Sequence, residues 1–122
     1  MVTLAIEDRN LTLHVEGLDQ LWALRSKLTI PLAHISGAHA DPEIAHAWWK
    51  GFKLAGTNIP GVIAAGTFYQ HGDSVFWDVH HPERTIVIEL HDEHYARLVI
   101  EVAEPVAAVG MIQDAVANFP AA

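Results

Sequence analysis

Histidine is the residue type here with the most chemistry to offer: the chain carries nine, and no cysteine. His91-Asp-Glu-His94 has the composition of a metal site, and His80-His81 is a second cluster. A zinc or nickel ion needs three or four converging ligands held in fixed orientation. Both clusters fall where the pattern predicts hairpin loops, at opposite ends of a strand array, so they cannot share an ion. His34, His39 and His46 are scattered. Solvated loop histidines are the expectation, with no metal and no cofactor. Missing cysteine removes disulfides, thiol nucleophiles and thiolate metal sites. The serines, Ser26, Ser36 and Ser74, lie in no Gly-x-Ser-x-Gly elbow. Residues 61–66 hold glycines but lack the Lys-Ser/Thr ending of a phosphate loop. No catalytic residue is assigned.

The densest aromatic-basic segment is Trp48-Trp49-Lys50-Gly51-Phe52-Lys53. Trp48, Trp49, Lys50, Phe52 and Lys53 could form a lid, a stacking site for a planar or anionic ligand, or an anchor for a partner. The plainer alternative buries one tryptophan and lets the other cover an open end of the fold. Neighbours on a helix point about 100° apart, so the two cannot be buried equally.

At 122 residues and 51% hydrophobic composition, a single domain over 1–122 is expected, able to build its core without staples. Seven bases against fifteen acids give a formal charge of −8, which disfavours nucleic acid as a partner. Residues 1–61 hold six acids and five bases; residues 62–122 hold nine and two. The N-terminus has no basic leader and no apolar run reaches the roughly 20 residues of a membrane span, so a cytoplasmic chain is expected.

Alternation dominates the second half. A turn at His71-Gly72 sets Phe68 opposite Val75, Gly66 opposite Trp77 and Ala64 opposite Val79. A turn over 80–84 would set Trp77 opposite Ile88, and one over 91–95 sets Ile88 opposite Leu98 and Ile86 opposite Ile100. The expectation is a four-strand antiparallel meander over 62–102, with Phe68, Val75, Trp77, Val79, Ile86, Ile88, Leu90, Leu98, Ile100 and Val102 on one face. The other face would then show Ile63, Tyr69, Phe76, Val87 and Val99 among Asp78, Glu89, Arg97 and Glu101. That is apolar enough to suggest self-association, with a plain monomer carrying an apolar face as the equal alternative. A helix over 104–119 opens at Glu104-Pro105 and repeats Val106, Val109, Ile112, Val116 and Phe119. In the first half, Val2/Leu4/Ile6 and Leu11/Leu13/Val15 form a hairpin about Asp8-Arg9-Asn10. Residues 28–35 read as a strand with Pro31 near an edge. Residues 17–26 fit helix or strand, and Asp41-Pro42-Glu43 starts a helix.

This order, together with Leu28-Thr-Ile-Pro-Leu-Ala-His-Ile35, Gly61-Val-Ile-Ala-Ala-Gly-Thr-Phe68 and Ile86-Val-Ile-Glu-Leu90, resembles small bacterial pleckstrin-homology-like (PH-like) proteins of unknown function. The resemblance spans roughly the whole chain. It implies a mainly β, α+β fold: a bent barrel of about seven antiparallel strands, three then four, capped by the C-terminal helix. It carries no catalytic residues. Phosphoinositide-binding members use a basic first hairpin loop, whereas Glu7-Asp8-Arg9-Asn10 is net acidic, so phosphoinositide binding is not expected. The expected function is a non-enzymatic scaffold acting through protein contacts, itself included. The alternative is a small-molecule binder or weak metal-dependent enzyme using Trp48, Trp49 and nearby histidines.

Overall fold

The computed structural model describes residues 2–15, 27–44, 64–70, 73–79 and 81–118. The Trp48–Lys53 segment, Ile63 and residues 17–26 lie outside them.

Val2–Glu7 (β1) and Asn10–Val15 (β2) form the expected hairpin. Asp8 and Arg9 both take positive φ, 50° and 65°, which matches the twist of a two-residue turn to that of the flanking strands. Lys27–Pro31 (β3) completes a three-stranded sheet in the order β1-β2-β3. Its period-2 pattern aims Val2, Leu11, Leu13, Val15, Leu28 and Ile30 at the core.

The strand expected over 28–35 is broken. Proline at position 31 cannot continue the ladder, and a 3-10 turn, Leu32–His34, follows it. The chain then leaves for a second sheet as Ile35–Ala40 (β4). The sequence Ile-Ser-Gly-Ala-His-Ala alternates too weakly to announce that strand. Beyond it Asp41 caps a helical start, its Oδ1 accepting from the Ile44 N–H at 3.1 Å.

The second sheet contains Ala64–Gln70 (β5), Asp73–Val79 (β6), Thr85–Leu90 (β7) and Arg97–Glu101 (β8) besides β4. Both hairpins keep the expected registers: Phe68↔Val75 and Gly66↔Trp77 in one, Ile88↔Leu98 and Ile86↔Ile100 in the other. The meander does not form. The strand order is β4-β7-β8-β6-β5, and β6 runs parallel to β8 with Trp77 beside Val99. The physical reason is parity. β6 is apolar on both faces, so alternation fixes each hairpin but not which hairpin edge meets the next.

This seam reverses β6 relative to expectation. Phe76 joins Ile86, Ile88, Leu98 and Ile100 in the main core, whereas Val75, Trp77, Val79, Val87 and Val99 form a second buried cluster that Ile44 packs against. Phe76, Val87 and Val99 are therefore interior, not an exposed self-association face, and Tyr69 lies on β5. Asp78 and Glu101, expected outside, are buried as well. Pro105–Asn118 (α1) lays Ile112 and Ala115 into the core against β4, β7 and the 3-10 turn. Val106 falls off that stripe and is exposed. Among the described residues the architecture is mainly β, two sheets and a C-terminal helix, with the sheets not closed into a barrel.

Candidate functional site

The topology gathers histidines at two places, one at each end of β7. At its N-terminal end, His81 meets Glu101. The backbone N–H of His81 donates to Glu101 Oε1 at 2.9 Å, and the ring Nδ1 lies 2.9 Å from Oε2. The glutamate is 1% exposed, while the imidazole side chain is 59% exposed. A buried carboxylate thus orients an imidazole that faces solvent. That is one half of a relay in which a carboxylate, an imidazole and a hydroxyl act in series. Among the described residues no hydroxyl completes it: Thr85, directly across from Glu101 in the ladder, has a buried Oγ1 that makes no hydrogen bond.

At the other end, the pairing of β4 with β7 brings His34 and Ser36 to the β7–β8 loop. His34 Nδ1 pairs with Glu93 Oε2. Ser36 Oγ lies 2.8 Å from His91 Nδ1, and the His34 and His91 rings stand 6.1 Å apart. Here a hydroxyl, two imidazoles and a carboxylate are neighbours, yet the acid holds one histidine and the serine holds the other. No single imidazole bridges acid to hydroxyl, so the corner closes the loop onto β4 instead of composing a relay. His91 N–H donating to the His34 carbonyl at 2.9 Å reinforces that closure. Among the described residues no three His, Asp or Glu side chains come together to hold a metal ion. The two clusters are separated by the six residues of β7, a length of roughly 20 Å.

A third feature is apolar. A groove of about 440 Å³ runs between β1 and the N-terminal half of α1. Its walls are Val2, Leu4, Val102, Ala107, Ala108 and Met111, with Thr3 and Glu104 among its polar lining. Met111, on the groove's wall, is 38% exposed, and Val106, on the first turn of α1 but outside those walls, is 85% exposed. They are the large hydrophobic side chains left in solvent among the described residues.

The groove was not legible beforehand: Val2 and Leu4 belong to a strand pattern and Met111 to a helix, and only their packing makes one surface. The pairing of His34 with the β7–β8 loop depends likewise on β4. Of the residues expected on the outer face, Glu89 and Arg97 meet at 3.4 Å across the β7–β8 ladder. Among the described residues no helix is long and apolar enough to cross a membrane. No protein-family model, no curated protein and no solved structure matches this chain.

Proposed function

We propose that the chain is an interaction domain that works by holding a protein partner. The observation carrying this reading is the apolar groove between β1 and α1, on whose wall Met111 is left in solvent. Exposed apolar side chains scattered singly need no explanation, but a contiguous apolar groove with a polar edge is the usual form of a contact surface. The histidine clusters fit the same reading, because each ties loop to strand. Kinship with PH-like proteins rests on the phrases at 28–35, 61–68 and 86–90 and on the C-terminal helix. The parallel β6–β8 seam departs from an up-and-down meander, and the interaction role does not depend on that kinship.

The test compares the wild-type chain with Ala107→Glu combined with Met111→Glu, both exposed on the groove's wall, each immobilised and exposed to a native lysate of its source. Both substitutions sit in solvent, so thermal unfolding should match the wild type. A protein retained by the wild type and released by the double variant is the expected result. Identical retained sets from both would overturn the proposal.

A further inference from the structure

Sheet edges are where a β protein invites another strand, and most edges carry a device against it. Of the edges with described side chains, β3 is blunted by Lys27 and Pro31. The β4 edge is interrupted by a bulge between Ile35 and Gly37, and its Ala38 carbonyl accepts from Gln113 Nε2 of α1 at 3.0 Å. By contrast, β1 reads Val-Thr-Leu-Ala-Ile-Glu, with no proline, lysine or bulge, and pairs in unbroken register from Val2↔Val15 to Glu7↔Asn10.

Hairpin geometry says which groups of β1 face outward. In a two-residue hairpin the residues flanking the turn exchange both backbone hydrogen bonds, and every second pair repeats this. Glu7, Ala5 and Thr3 therefore spend their backbone groups on β2, whereas Val2, Leu4 and Ile6 direct theirs away from it. Among the described residues no strand lies along that side, since β1 is the end of its sheet. Leu4 also lines the apolar groove, so the open edge and the groove are one continuous surface.

Resting on the reading of the chain as a protein-contact domain, we infer that its partner supplies an extended segment that adds to β1 as a fourth strand. Main-chain hydrogen bonds to Leu4 and Ile6 provide the affinity, and alternate apolar side chains of the guest enter the groove beside Leu4 and Met111. Charge selects the guest further. Among the described residues Glu104 is the charged one lining the groove, and the chain has a formal charge of −8. The complementary segment alternates apolar residues and carries a lysine or arginine near Glu104.

The test selects random linear peptides, displayed as a library, against the immobilised full chain. Enriched peptides should alternate apolar residues and carry Lys or Arg. Their binding should slow amide exchange of Leu4 and Ile6. Leu4→Pro removes one outward N–H at an edge, where proline is tolerated, and should weaken binding by about tenfold. Glu104→Lys, at an exposed position, should turn the enriched charge from basic to acidic. Peptides with helical i, i+3, i+4 spacing, or unchanged exchange at Leu4 and Ile6, would overturn the inference. Peptide binding indifferent to both variants would do so too. So would protection of Leu4 and Ile6 that rises with chain concentration alone alongside a dimer mass in light scattering, because the occupant is then a second copy. No enriched peptide from a chain that still retains a protein partner through Ala107 and Met111 would overturn strand addition and leave the interaction role standing. Failure of both experiments would overturn both.

Discussion

Glu101 accepts two hydrogen bonds from one residue, His81, through its backbone N–H and its ring, each at 2.9 Å. A carboxylate 1% exposed at the end of β8 is thereby tied to the loop that leads into β7. Hydrogen bonds to a charged, buried acceptor are worth more than neutral ones, but the imidazole is mostly in solvent and its share is discounted. A double-mutant cycle of His81→Ala and Glu101→Gln should give a coupling of about 1 kcal/mol in denaturant unfolding. Additive effects would show that the imidazole ring adds nothing to holding the carboxylate.

Thr85 offers a gain in stability. Its hydroxyl is buried without a hydrogen bond, and it sits in a strand where a β-branched apolar residue of the same shape fits. Thr85→Val should stabilise the fold by about 1 kcal/mol, since the desolvated hydroxyl disappears while the methyl packing stays. The measurement is the urea midpoint at unchanged m-value. A lower midpoint would mean the hydroxyl has a use that its surroundings conceal.

The reversal of β6 makes a contrast that a sequence-based expectation would get backwards. Phe76 is in the main core, edge-on to Tyr95 with centroids 5.7 Å apart, so Phe76→Ala should cost about 3–5 kcal/mol. Val106→Asp on the exposed turn of α1 should change stability by less than about 0.5 kcal/mol. Unfolding curves of the two variants side by side decide the matter. A mild Phe76→Ala would return that residue to the surface.

Asp92 holds φ of 55° in the loop between β7 and β8. Left-handed backbone costs a residue with a Cβ about 1–2 kcal/mol, and glycine loses about 0.5–1 kcal/mol more entropy on folding. Asp92→Gly should therefore stabilise the chain by about 0.5–1 kcal/mol, read from thermal unfolding. A destabilised variant would indicate that the aspartate side chain itself organises the loop.

Local information in the chain was rich and long-range information was poor. The β1–β2, β5–β6 and β7–β8 hairpins and α1 follow from alternation, turn residues and a proline at the first helical position, because all of these act over a few residues. The partner of β6 did not follow. With Phe76 on one face and Val75, Trp77 and Val79 on the other, either orientation buries apolar surface. The same ambiguity hid β4, whose glycine and alanines carry little pattern. What depended on β4 and β6 was lost with them: the meeting of His34 with Glu93 and of Ser36 with His91, and the interior positions of Val87 and Val99.

The parallel seam between β6 and β8 also bears on how quickly this chain reaches its native state. Each of its pairs, from Val75↔Arg97 to Asp78↔Ile100, joins residues 22 positions apart, whereas the flanking hairpins close over much shorter stretches. Short-range closures are fast and long-range ones slow. The two hairpins should assemble early as preformed pieces, and their docking along β6 and β8 should set the pace. Substitutions at Trp77 and Val99, which face each other across that seam, would then retard refolding more than equal losses of stability placed within either hairpin.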